Sequence, residues 1–498
     1  MTISFNEVPS NVRVPGAYVE IDVSRANNTA QVDNRMLVIG QRLSTGTVSA
    51  NVPTLITSYA QAVTSFGQGS MLANMFKTIF DNNSFTEKWC VAIDDDAAGV
   101  AAVGTITITG AATESGTISL YLGGVLVSVS VAKGDVMTAV ATAVAAAINA
   151  NVDLPVTATV INDEVDNIVE VTYRHKGLVG NKFDMRLNYR GVLAGEKTPA
   201  GLILDIVQMG TATAGTTDPD LSNAIAALPD EIFNHWVVPY ISSGVLDDLD
   251  TEMDSRWSPT RMLEGHVITA DKGTVSALST LGNSRNNQHM TIFDAANNSP
   301  TPPYLWAAAV CAKIAYYASI DPARPFNTLE LVGVLAEPLQ DRRTIAENNT
   351  LLYDGIATHS ASHSGKVTIQ RLVTTYQLNS LDVADAAYLD ANTLYTLSYY
   401  RQSLRARITS RFPRHKLADD GTRFGAGQAI VTPKIIKAEI VALAKEWEEK
   451  GLIEDMDQFK ADLIVERNAD DRNRVDAMLP TNLVNQFHIF AAQISFIV

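Results

Sequence analysis

The residues able to carry chemistry in this chain are scattered along it. Eight histidines, His175, His235, His266, His289, His359, His363, His415 and His488, show no metal-ligand spacing. His359 and His363 stand four apart and could share a helix face. The residues between them are Ser360-Ala361-Ser362, without the glutamate that a zinc protease helix places there. A serine hydrolase needs a hydroxyl with a base in hydrogen-bond reach, and no Gly-x-Ser-x-Gly occurs. His266 and Asp294 fall in or at the end of expected α/β strands, where sites often form. His266 lies within an apolar run, however, and reads as a packed core histidine. The triplet Asp94-Asp95-Asp96 has the oxygen chemistry of a cation site but reads as a solvated turn. The loop Gly421-Thr422-Arg423-Phe424-Gly425-Ala426-Gly427 offers backbone amides for a phosphate. It lacks the preceding strand, the following helix and the Lys-Ser/Thr of a nucleotide loop, and reads as a flexible turn. Two cysteines, Cys90 and Cys311, are each flanked by apolar residues, as buried reduced thiols are. No Cys-x-x-Cys exists to suggest zinc. The expectation is therefore no catalytic, metal or cofactor-binding residue, and no enzyme.

One charged cluster remains. Residues 401–416 hold Arg401, Arg405, Arg407, Arg411, Arg414 and Lys416 and no acid. It reads either as a solvated helix face or as a contact with an acidic partner. The whole chain carries −16, the opposite sign to a general nucleic-acid binder. That charge is uneven. Residues 401–498 hold 15 Lys and Arg against 14 Asp and Glu, whereas residues 1–400 hold 23 against 40. Such segregation can fix register between stacked subunits.

The elements that must position these groups are legible from periodicity. Composition is that of a folded chain, 46% hydrophobic and 18% charged, and 498 residues suggest about three domains. So few charges for the length hint at extensive subunit contact. The first residues have neither the basic region nor the apolar core of a signal peptide, and no run of 18 or more apolar residues occurs. The expectation is a soluble cytosolic product with no membrane insertion. Met36-Leu37-Val38-Ile39, Trp89 to Ile93, Trp236 to Tyr240, His266 to Ala270 and Met290 to Asp294 are short apolar strands. Helical spacing lies between them, which predicts a doubly wound, mainly parallel α/β sheet over 33–96 and 201–375. Between these stretches, residues 97–200 change character. Period-two runs are separated by Gly110, Gly116 and Gly123-Gly124, and one helix is expected from Asp135, as cap, to Ile148. This is a β-rich insertion. Residues 376–475 form a compact α+β C-terminal domain, largely helical from Asp382 to Ser410, with a further helix between Pro433 and Gly451.

Both ends look like strands without partners. Within the arm 1–32, Ala17, Tyr18, Val19, Glu20, Ile21 and Asp22 alternate apolar and polar. Within 476–498, the tail His488, Ile489, Phe490, Ala491, Ala492, Gln493, Ile494 and Ser495 is apolar and β-prone, an aggregation hazard unless paired.

The start Val14-Pro15-Gly16-Ala17-Tyr18-Val19-Glu20 resembles the Pro-Gly-x-Tyr arm of contractile phage tail sheath proteins. The α/β middle is similar to their subtilisin-like domain without a catalytic triad, and the apolar terminal strand matches as well. The text is most like the sheaths of Mu-like phages. The resemblance implies a homo-oligomer of stacked hexameric rings that polymerises around an inner tail tube. Contraction would drive the tube through the host envelope for genome delivery. It implies baseplate and tail terminator proteins as partners, no direct nucleic acid, no cofactor, and a place in the virion tail after assembly in the host cytoplasm. It further implies that Ala17–Asp22 and His488–Ser495 add strands to neighbouring subunits. Ser24 to Asn34 and Arg472 to Asn485 would be hinges, 97–200 would face outward, and the basic patch 401–416 would face the tube or a neighbour. The same reading fits the sheath of a phage-like bacteriocin or secretion system. Outside this class, an α/β hydrolase-like enzyme and a β-rich adhesin are the alternatives.

Overall fold

The computed structural model describes residues 34–161, 167–425 and 427–497. The expected N-terminal strand Ala17–Asp22 lies outside them.

An eight-stranded sheet organises the larger part of the chain. From edge to edge its order is Val367–Arg371, Ile356–Ala361, Met290–Asp294, His266–Asp271, His235–Val237, Arg35–Gln41, Glu87–Ile93 and Pro53–Leu55. The six inner strands are mutually parallel and the two edge strands antiparallel. Strands buried on both faces need apolar residues at successive positions, not alternate ones. Met36-Leu37-Val38-Ile39 meets this requirement. Met36 and Val38 join one core with Phe66, Phe76 and Trp306, while Leu37 and Ile39 join another with Trp236, Leu249 and Leu278. The helices Tyr59–Phe66, Met71–Asn82 and Pro303–Ile320 supply the first core. Ser243–Trp257, Val275–Asn283 and Ile345–Tyr353 supply the second. The helix Pro303–Ile320 starts on proline and is buried on most sides. Its alanines Ala307, Ala308, Ala309, Ala312 and Ala315 let it lie close to sheet and helix alike.

Residues from Ala101 to Val207 build two smaller sheets around a third core. One has the order Leu202–Val207, Ala101–Gly110, Ile168–Lys176, Val156–Ile161; the other has Val125–Val131, Gly116–Leu122, Met185–Leu187. Ile106, Ile118, Val144 and Val171 are at the centre of this core. The turn between Leu122 and Val125 is Gly123-Gly124, at φ +58° and +85°. A two-residue hairpin turn of type I′, whose twist matches that of the strands, requires this of both residues. The helix runs Met137–Ala150, but Asp135 does not cap it. Its carboxylate accepts the Ala132 amide at 2.7 Å instead, tightening the preceding turn.

The chain divides into two compact units. The smaller holds, among the described residues, Tyr399–Trp447 and Asp455–Pro480. Here Trp447 packs on Tyr400 with ring centroids 4.4 Å apart and donates to Ser403 Oγ at 3.0 Å. Ile440, Leu443 and Ala444 share that face of the helix Pro433–Glu449. The helix expected from Asp382 begins only at Ala391, because 382–390 is spent on turns, with Asp382 at φ +55°. Likewise, the expected hinge from Arg472 contains the strand Val475–Met478, paired with Ile464–Arg467.

One close approach tests this packing. A Cβ on Gly282, in the helix Val275–Asn283, would lie 1.9 Å from the backbone oxygen of Asp354. Gly282→Ala is expected to lower stability by about 2–3 kcal/mol. Gly244→Ala, where the Cβ meets nothing within 4 Å, should be neutral or stabilising by about 1 kcal/mol. Thermal melts of the two variants beside the parent check the difference.

Candidate functional site

In an open parallel sheet, ligands bind outside the carboxyl ends of the strands where the strand order reverses. Here that point lies between Arg35–Gln41 and His235–Val237, since the chain leaves the first strand toward Glu87–Ile93 and returns on its other side. The position is filled. Gln41, fully buried, donates to Asp95 Oδ1 and to the Lys176 carbonyl, each at 2.7 Å. His175 Nδ1 lies 3.1 Å from the same Asp95 oxygen, and the Lys176 amide donates to the other at 3.1 Å. His175 Nε2 accepts the Met71 amide at 3.0 Å. The strand Ile168–Lys176 of the inserted module thus seals the crevice. Burial alone would raise the Asp95 carboxyl, but hydrogen bonds from His175, Lys176 and Gln41 hold it below the usual carboxylate range.

Asp95 and His175 have the geometry of the acid and base of a hydrolase, but the base has no free nitrogen. Because Nε2 accepts an amide proton, Nδ1 carries the ring's proton and donates it to Asp95. The nearby Ser70 hydroxyl caps the helix Met71–Asn82 by accepting the Ala73 amide at 3.1 Å. The reading of residues 94–96 as a solvated turn is therefore corrected for Asp95, which is a half-buried joint. It holds for Asp94, paired with Arg42 at 2.8 Å and exposed.

The other candidates are dispersed. His266 Nε2 lies 2.8 Å from Thr291 Oγ1 in the core, where burial drives its pKa well down. His235 sits between Asn34 and Tyr395, and burial lowers it to about 3. Asp294 is gripped by the Arg343 guanidinium and accepts the Ala296 amide at 3.0 Å. His359 is in a strand, 3.2 Å from Glu337, and His363 is in the following turn, so they share no helix face. Among the described residues, no group of three or more His, Cys, Asp or Glu could hold a metal ion. Nor, among them, is any helix long and apolar enough to cross a membrane. Cys90 and Cys311 are buried thiols with pKa values raised by burial.

Two surfaces are left. In the basic segment, Arg407 binds Glu439 at 3.0 Å and also Glu446, and Arg411 binds Glu439 at 3.2 Å. Lys416 donates to Gln428 at 3.0 Å. Arg401 is partly buried, whereas Arg405 and Arg414 are exposed. At the C-terminal end, the short strand Asn482–Leu483 pairs with Ile453–Glu454. His488 approaches Asp390 at 3.6 Å, and Asp390 in turn holds Arg371. Beyond it, residues 489–497 have no regular secondary structure in the single chain. Ile489, Phe490, Ile494, Phe496 and Ile497 are 79–101% exposed. Sequence pattern alone marked this segment. It gave no sign of the Asp95–His175 joint, whose members are 80 residues apart.

An exposed apolar C-terminal segment beside a crevice occupied by the chain's own side chains is compatible with what sequence comparison finds. A family model described as the phage tail sheath protein central domain matches residues 214–375, and one for the phage tail sheath C-terminal domain matches 383–497. The Mu-like prophage FluMu tail sheath protein of Haemophilus influenzae is 40% identical over 498 residues, covering all of both chains. The chain belongs to the phage tail sheath proteins, and its function is that of a tail sheath subunit. Among solved structures, a sheath tail protein of Desulfitobacterium hafniense is 10% identical, with 95% of this chain and 97% of that one covered at a TM-score of 0.49. One of Listeria innocua is 12% identical, with 92% and 94% covered at 0.47.

If His175 is a joint, its removal costs stability. His175→Ala leaves the buried Met71 amide without its acceptor and removes one of the two donors to Asp95 Oδ1, Gln41 remaining, so a loss of about 2–3 kcal/mol is expected. Faster hydrogen exchange in residues 168–176 should accompany it. An unchanged melt with unchanged exchange would count against the joint.

Proposed function

We propose that this subunit polymerises as stacked hexameric rings around an inner tail tube, and that contraction of the polymer drives the tube through a host envelope. The observation that carries this reading is the tail from Ile489 to Ile497, apolar and exposed in the single chain. Its backbone groups and side chains need a sheet edge to cover them, and another copy is the partner always at hand. His488–Ser495 is then one donated strand and Ala17–Asp22 the other. Strand addition supplies main-chain hydrogen bonds, and alternate side chains fix register. The links would persist while the bodies of the subunits shift between two packings, with the contracted one lower in free energy.

The doubly wound sheet is proposed to be a subtilisin-like core that keeps the topology without the catalysis. The engagement of His175 Nε2 by the Met71 amide supports this. The module 97–200 is proposed to face outward. The partners would be the tube, the baseplate and a terminator, with no direct contact to nucleic acid. The subunit would assemble in the host cytoplasm and end in the virion tail. Within the basic segment, Arg405 and Arg414 are the residues proposed to face the tube or a neighbour. Arg407 and Arg411 already have carboxylate partners in their own unit.

Deleting residues 1–22, or 488–498, is expected to give soluble subunits that form no cylinders under negative stain. Regular cylinders from either truncation would end the arm model. Arg405→Glu combined with Arg414→Glu should leave the subunit's melting temperature unchanged and reduce tails assembled on tube at least about tenfold. Normal tails from that double variant would remove the two arginines from the interface.

A further inference from the structure

A polar cleft of about 570 Å³ opens between the segment 181–189 of the inserted module and the loops that follow the strands His266–Asp271 and Met290–Asp294. Its charges cancel in pairs, save one. Arg186 makes two hydrogen bonds to Asp184, at 2.6 and 2.7 Å. Lys182 lies 3.2 Å from Asp271 and donates to the Lys272 carbonyl at 2.9 Å. Lys272 is the remainder. Its ammonium reaches the Ser299 carbonyl at 3.5 Å, beyond a normal hydrogen bond. Among the described residues no carboxylate lies within ion-pair distance of it. An ammonium carries three donors, and burial lowers this one to about 8. Asn297 and Asn298 line the same cleft with exposed amides.

A cleft with one ammonium in no ion pair and the exposed amides of Asn297 and Asn298 offers its donors to an anion. We propose that it binds a carboxylate presented by a second copy of this chain, with Lys272 as the anchor. Charge complementarity names the occupant. Residues 1–400 hold 40 Asp and Glu against 23 Lys and Arg, so a carboxylate is the anion most often displayed on a neighbouring subunit. Packing such acidic bodies together is repulsive unless some of those carboxylates meet a cation. Lys272 is such a cation, with no ion pair among the described residues and only a long contact to the Ser299 carbonyl. This inference rests on the polymer reading given above.

The test uses the full-length chain, with Lys272→Gln and Lys272→Arg beside the parent. Sedimentation gives the critical concentration for cylinder formation. Melting temperatures are taken with and without succinate or inorganic phosphate at fixed ionic strength. Lys272→Gln should melt at the parent's temperature or slightly above, since no intramolecular ion pair is lost. It should raise the critical concentration about tenfold or more, while Lys272→Arg stays near the parent. Lys272→Gln assembling as the parent does would overturn the proposal. If phosphate or succinate raises the parent's melting temperature through Lys272 while assembly is unaffected, the cleft takes a free small anion and the second-copy claim falls. If the parent itself forms no cylinders, the polymer reading fails. The titration then still judges the cleft as an anion site, and the absence of any shift dependent on Lys272 would overturn that too.

Discussion

One carboxylate gathers three donors where the sheet meets the module inserted into it. Asp95 follows the strand Glu87–Ile93 and accepts hydrogen bonds from Gln41 on the first strand and from His175 and the Lys176 amide on the insertion. Removing it would leave three buried or half-buried donors facing one another. Because these donors come from segments far apart in sequence, the joint forms only when sheet and insertion are both complete. The insertion is therefore docked on the sheet's carboxyl edge as well as tethered by its two chain connections. The crevice in which this kind of sheet usually hosts ligands is occupied by the chain's own polar side chains.

A packed sheet core with an exposed apolar C-terminal segment suits the proposed polymer, whose subunits would change packing. Core packing and the proposed intersubunit linkage are separated in the chain. The three cores draw on residues between Met36 and Tyr395, while the exposed apolar tail begins only after Asn485. Strand pairing holds through main-chain groups and tolerates changes in the surfaces around it. Side-chain contacts such as a buried ion pair demand one geometry and can discriminate between two packings.

Much of this was legible from periodicity. Unbroken apolar strands such as Met36 to Ile39 announced a sheet covered on both faces, and Gly123-Gly124 announced a hairpin. The β-rich stretch stood out because the apolar period changes from helical spacing to two. What escaped was set by distant partners. Arg407 looked like an unpaired surface charge, because Glu439 and Glu446, seven residues apart on one helix face, stand more than thirty positions away. Asp95 looked like a turn residue because its neighbours in sequence are aspartates, while its partners in space are Gln41 and His175. Asp135 had the residue type of a cap, but a competing amide one turn earlier claimed its side chain. Lys272 carried no sequence signal, since being short of partners is a property of space alone.

Cys90 and Cys311 are fully buried, one in the sheet and one in the helix that crosses it. A thiol on a face where subunits slide would be a hazard in air, because a stray disulfide between two copies would freeze their register. With its only two sulfhydryls enclosed in apolar packing, a polymer of this chain offers oxidants nothing to cross-link.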